Sequence, residues 1–154
     1  MDNIQAWQLA QKDILEKKSI KLTDGVKKSN GYDFILSAIE KIPLRPQTDN
    51  QLQNFRTQTE TLIAAFPTNP ETFKSEQAFY KKAFSTYKNY ILKEYKLVMK
   101  GFYIAIWLSL GISIGVAFGV SMGNIALGIP IGIGIGMAIG AGLDAKAQKE
   151  GRTI

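Results

Sequence analysis

Ser109, Ser113, Ser121 and Asn124 are the polar groups available to line a path through residues 101–143, a run without a charged side chain. A hydroxyl becomes a nucleophile only beside a base, and none accompanies these serines. The chain has no histidine and no cysteine. Imidazole bases, thiol nucleophiles, disulfides and the usual zinc sites are therefore excluded. The carboxylates Asp24, Asp33, Glu40 and Asp49 fall in no catalytic spacing. The stretch GIGIGMAIG, residues 132–140, is no dinucleotide loop, because an apolar run of membrane-crossing length surrounds it. The expectation is a non-enzyme with no catalytic, cofactor-binding or metal-binding residues.

The elements that hold these polar groups follow from the charge pattern. Residues 1–100 carry sixteen basic and eleven acidic groups, whereas 101–143 carry none. This is a soluble segment joined to a membrane segment. Residues 101–122 and 125–143 read as two spans of roughly 33 and 28 Å as helix, close to the hydrocarbon thickness. Gly123-Asn124 supplies the turn. Lys93, Lys96 and Lys100 precede the first span, and Lys146, Lys149 and Arg152 follow the second. With both flanks basic and the turn uncharged, the positive-inside rule puts both ends in the cytoplasm, the six cations facing lipid head groups. Seven lysines against three glutamates in 61–100 add to that field. Lipid is the partner this position favours, and nucleic acid is not. The opening MDNIQAWQLAQKDILEKK lacks the apolar core of a signal peptide.

Glycine is a poor helix former, so its abundance here needs a reason. In lipid, helices associate through close packing, which favours small residues at the contact. Gly111, Gly115, Gly119 and Gly123 form one row on the first span, and Gly128, Gly132, Gly136 and Gly140 form its counterpart. A second small row lies nearly opposite: Ala105, Ser109, Ser113, Ala117 and Ser121 on the first span, Ala126, Gly134, Ala138 and Gly142 on the second, interrupted by Pro130. A hairpin needs one smooth face per helix, so the spare faces are expected to contact further copies. On this reading Gly136→Ile breaks a homo-oligomer. Small and large residues also alternate, as in a membrane strand, but the span lengths match helices.

Upstream, residues 3–18 read as an amphipathic helix burying Ile4, Trp7, Ile14 and Leu15, capped by Asp2 or Asn3. Residues 19–31 read as loop, or as a short strand pair around IKL, with turns at Asp24-Gly25 and Asn30-Gly31. A second helix from Tyr32 stops at Pro43, followed by an extended PLRPQT connector. A third starts at the capping box Thr48–Gln51, carries Leu52, Phe55, Thr59, Leu62, Ile63 and Phe66 on one face, and ends before Pro67. A fourth opens at a second box, Thr68–Glu71 with Pro70. It meets no stop signal, and its stripe Tyr80, Phe84, Tyr87, Ile91, Tyr95, Val98 and Phe102 runs on into the first span.

The Gly-x-x-x-Gly repeats from 111 to 140, followed by GLDAKAQKEGR, resemble the glycine-zipper hairpins of small bacterial membrane proteins. The resemblance covers about a third of the chain and implies architecture rather than chemistry. The expected fold is all-α. Residues 1–95 form a cytoplasmic helical domain whose last helix continues into a transmembrane hairpin, residues 96–146, with a cytoplasmic tail at 147–154. The functional expectation is a multi-pass bacterial inner-membrane protein that self-assembles through its hairpins, a narrow pore or channel being one form of that assembly. The alternative is a membrane-anchored immunity or adaptor protein whose cytoplasmic domain, residues 1–95, or glycine faces bind another membrane protein.

Overall fold

A computed structural model of the chain describes residues 2–68 and 73–154, with side chains for 3–68 and 77–154. Among these residues the architecture is all-helical, apart from one isolated parallel bridge between Val98 and Thr153. The chain divides into two compact units, Met1–Tyr95 and Lys96–Ile154.

The first unit contains α1 (Asp2–Ser19), α2 (Asp24–Ser29), α3 (Tyr32–Lys41), a 3-10 turn (Ile42–Leu44), α4 (Asp49–Ala64) and α5 (Phe73–Glu94). Its core is Leu15, Phe34, Ile35, Ala38, Ile39, Ile42, Phe55, Leu62, Ile63 and Phe66, closed by Tyr80, Tyr87, Ile91 and Tyr95. Edge-to-face contacts join Phe34 to Phe84 and Tyr87, Phe66 to Tyr80, and Phe55 to Trp7 and Tyr95. The Tyr87 hydroxyl and Thr59 Oγ1 share a buried hydrogen bond of 2.9 Å, and the Tyr80 hydroxyl donates to the Asn30 carbonyl at 2.8 Å. The aromatic stripe is therefore core from Tyr80 to Tyr95. The Thr48–Gln51 capping box forms in both directions, Gln51 N donating to Thr48 Oγ1 at 3.2 Å and Thr48 N to Gln51 Oε1 at 3.0 Å. Pro70 and Glu71 of the second expected box, Thr68–Glu71, lie outside the described residues.

Several local expectations are corrected. Ile14 is 40 % exposed, and the buried face of α1 instead takes Gln11, Leu15 and Ser19 at steps of four. Asp2 and Asn3 lie inside α1 rather than capping it. No strand forms around IKL: Leu22 N donates to the Ser19 carbonyl in a turn, and Asp24-Gly25 opens the short helix α2. Its Asp24 at one end and Lys27 and Lys28 at the other match the helix dipole. Pro43 sits in the first turn of the 3-10 segment, where a missing N–H costs nothing, so the extended backbone begins only at Arg45.

The largest correction concerns the expected continuous fourth helix. α5 ends at Glu94, Lys96 takes a left-handed conformation (φ 51°), and a non-helical segment reaches Gly101 (φ 79°), which opens the next helix. Val98 and Phe102 thus leave the stripe. Val98 forms the bridge to Thr153, and Phe102 is exposed.

The second unit is a helical hairpin, α6 (Phe102–Ser121) and α7 (Ile125–Lys149). Both helices are long and apolar enough to cross a membrane.

Candidate membrane hairpin and its packing faces

The turn of the hairpin forms from three consecutive residues. Gly123 has φ 68°, its N–H donates to the Val120 carbonyl at 3.0 Å, and Asn124 N–H donates to the Gly119 carbonyl at 2.8 Å. This is the bond pattern of a Schellman motif, which calls for glycine at that position. The Asn124 side chain then accepts from Leu127 N–H at 3.3 Å and caps α7. Gly123, expected in the packing row, belongs to the turn, and a Cβ on it would meet nothing within 4 Å.

The remaining seven glycines of the first row form the seam. Gly111, Gly115 and Gly119 are the buried residues of α6, while Gly128, Gly132, Gly136 and Gly140, with Ala147, are those of α7. They interdigitate in antiparallel order. A Cβ on Gly111 would approach Gly136 Cα at 3.0 Å, and one on Gly115 would approach Gly132 Cα at the same distance. On Gly128 it would stand 2.6 Å from Gly119 Cα, and on Gly140 2.6 Å from Ile104 Cα. Each obstacle is backbone, which cannot swing aside.

The second row is placed differently. Ala105, Ser109, Ser113, Ala117 and Ser121 on α6, and Ala126, Pro130, Gly134, Ala138 and Gly142 on α7, are all exposed. Gly134 and Gly142 have open space where a Cβ would stand. Ser109, Ser113 and Ser121 each donate to the carbonyl four residues earlier, at 2.9–3.0 Å. That habit satisfies a hydroxyl without water. Gly136→Ile therefore probes the seam inside one hairpin, and Gly134 is the position that probes the outer face.

At the end opposite the turn, two contacts went unread in the sequence. Asp144 on α7 accepts from Tyr103 N–H at 3.1 Å and Ile104 N–H at 3.2 Å. These are the second and third amides of α6, the ones an N-cap side chain would take. Gly101, at the cap position, has no side chain to offer, so the acceptor comes from the other helix. Residues 152–154 then fold back along the segment before α6. Val98 N–H donates to the Arg152 carbonyl (2.8 Å), Ile154 N–H to the Val98 carbonyl (3.1 Å) and Lys100 N–H to the Ile154 carbonyl (3.3 Å). Of the expected tail at 147–154, residues 147–149 continue α7 and residues 152–154 form half of this clasp, with Ala147 fully buried. Lys96, Lys100, Lys146 and Lys149 stand exposed around it, while Lys93 belongs to the first unit.

Burial in the hairpin is inverted relative to a water-soluble fold. Its buried residues are glycines and one alanine, whereas Phe118, Val120, Leu127, Ile131 and Ile135 are more than half exposed. Only 17 % and 22 % of the most apolar windows of α6 and α7 are buried. Among the described residues no cluster of metal-ligating side chains occurs. No family model, curated protein or solved structure matches the chain.

Proposed function

We propose that the protein is a non-enzymatic multi-pass protein of the bacterial inner membrane. In this reading α6 and α7 cross the bilayer as a hairpin of the glycine-zipper kind, and hairpins self-associate through their outer small-residue faces. The observation that carries it is the division of labour between the two rows. One row is consumed inside the hairpin, leaving a second smooth face on each helix amid large apolar side chains. Exposed isoleucine, leucine and phenylalanine at this density call for hydrocarbon, and in hydrocarbon small faces are where helices meet. The lysines at one end and the uncharged turn at the other fit an orientation with both ends in the cytoplasm. Ser109, Ser113 and Ser121 lie on the outer row, so a pore between hairpins would be narrow and mostly apolar, opening by wetting.

The test reads association and conduction separately. Energy transfer between labelled copies in bilayers should be strong for the native chain and for Gly134→Ala, and lost in Gly134→Ile. Retention of transfer in Gly134→Ile rejects the outer-face interface. Planar-bilayer current then decides the pore: discrete steps support it, and silence with inserted protein leaves a scaffold.

A second reading rests on a different observation, the self-sufficient core of residues 1–95. A domain with its own core fits an anchored immunity or adaptor role, binding another membrane protein. The Tyr80–Tyr95 stripe cannot be its docking face because it is buried. Leu9, Ile20, Leu44 and Phe79, each at least 68 % exposed, are the candidates. Partner capture that survives Gly134→Ile but fails on changing these four to serine favours this reading.

A further inference from the structure

Five cations and two carboxylates belong to the second unit, and the fold commits both carboxylates elsewhere. Asp144 spends its two oxygens on the Tyr103 and Ile104 amides. Glu150 pairs with Arg152 at 2.5 Å. Lys96, Lys100, Lys146 and Lys149 are left exposed and without an acidic partner among the described residues. In sequence the two pairs lie some fifty positions apart. The backbone clasp of Val98 and Lys100 with Arg152 and Ile154, with Arg152 N–H bonded to the Ala147 carbonyl, draws both pairs to one end of the hairpin. Tyr103 and Trp107 follow within the first turns of α6, where aromatic residues anchor at a bilayer surface. The other end, residues 121–125, is uncharged.

We infer that the clasp is a lipid-selecting collar: it holds Lys96, Lys100, Lys146 and Lys149 as a preformed site for anionic phospholipid head groups. This rests on the membrane reading above and goes beyond it by assigning the lipid class and the device that selects it. Phosphate diesters meet four lysines whose carboxylate competitors are already occupied. Because backbone bonds fix the lysine-bearing segments, selectivity depends on the clasp as well as on charge.

The test uses the full chain carrying Trp7→Phe, so that Trp107 is the sole tryptophan. It is reconstituted in phosphatidylcholine containing brominated phosphatidylglycerol or brominated phosphatidylcholine, and Trp107 quenching gives the relative affinity. The expected result is a preference for the anionic lipid of at least about fivefold at low salt, shrinking at high salt. The preference falls to about one in the K96Q/K100Q/K146Q/K149Q variant. Val98→Pro and Ile154→Pro each remove one clasp N–H without changing charge, and either should lose most of the preference while helicity by circular dichroism is kept. Equal affinity for both lipids in the native chain overturns the inference. So does full preference in both proline variants, which would make it a matter of charge count alone. Loss of preference on adding inorganic phosphate at constant ionic strength overturns the lipid as occupant. Absence of quenching by brominated phosphatidylcholine rejects the membrane reading itself, a separate outcome.

Discussion

Gly132 and Gly134 are two residues apart on the same helix, yet the hairpin gives them opposite surroundings. Replacing either with alanine adds one methyl group and the same gain in helix propensity, about 1 kcal/mol by soluble-peptide scales. At Gly134 the new Cβ meets nothing within 4 Å. At Gly132 it would stand 2.8 Å from Gly115 Cα and collide with the Gly111 carbonyl oxygen. Carbon atoms rest about 3.5–4.0 Å apart, so the backbones must part by roughly 1 Å. A gap of that size forfeits a quarter to a half of each neighbouring dispersion contact, and overpacking typically costs about 1–3 kcal/mol. Gly132→Ala should therefore destabilise the hairpin, while Gly134→Ala is neutral or mildly stabilising. Because the propensity gain is common to both, the two should differ by the overpacking cost alone, about 1–3 kcal/mol, roughly 5- to 150-fold in the open–closed equilibrium. The chain has no native cysteine, so dyes can be placed on Leu110→Cys and Met137→Cys and hairpin opening followed by energy transfer during an SDS titration. Midpoints that move together for both variants would refute the assignment of one row to the seam.

Asp144→Ala should weaken the first turn of α6 by about 1 kcal/mol, read as faster hydrogen exchange at Tyr103 and Ile104, whereas Asp144→Asn, which keeps an acceptor oxygen, should lose less. Thr59→Val deprives the buried Tyr87 hydroxyl of its partner and should cost the first unit about 1–3 kcal/mol, measured by urea denaturation followed through circular dichroism. Burial pushes the Tyr80 and Tyr87 phenols well above their ordinary 10.0, with Thr59 partly opposing this at Tyr87. The folded state therefore favours the neutral phenols: this stability is fully present below pH 10 and is lost as pH rises toward the folded-state values. In an alkaline titration the tyrosinate absorbance of these two residues should appear only with the loss of helicity, and early ionisation in a folded chain would contradict their burial.

The seam was legible because its cause is local. Glycine at every fourth position marks one helical face, and two such faces joined by a glycine-containing turn leave little choice of partner. The capping box at Thr48 was legible for the same reason, since donor and acceptor are three residues apart. What escaped was non-local or broke a local habit. The cap that Asp144 supplies to α6 joins residues 41 apart in sequence for Tyr103 and 40 for Ile104, so no window on the sequence contains both. The end of α5 did leave a trace in Gly101, the one residue between Tyr95 and Phe102 able to adopt φ 79° without strain. An unbroken aromatic spacing overrode that trace. At α1 apolarity misled, because Ile14 lies about 100° from Leu15 and the buried face at that level takes Gln11.

Both rows repeat every four residues, so spacing alone does not decide which one closes the hairpin. Side-chain size does. On α6 the seam row is glycine at 111, 115 and 119, while the outer row keeps a Cβ at every position from Ala105 to Ser121. On α7 the seam row is glycine throughout, while the outer row carries Pro130 between Ala126 and Gly134. A proline ring holds a neighbouring backbone away, so the outer row cannot run as a full-length seam. Only the all-glycine rows permit backbone-to-backbone contact along the hairpin, and closing them first satisfies the shortest connection. The outer row is then left with its smooth stretch at Gly134, Ala138 and Gly142, on the side of Pro130 away from the turn. Any association through that face should therefore be tightest toward the lysine-bearing end of the hairpin, where the clasp and the Asp144 cap already hold the two helices in register.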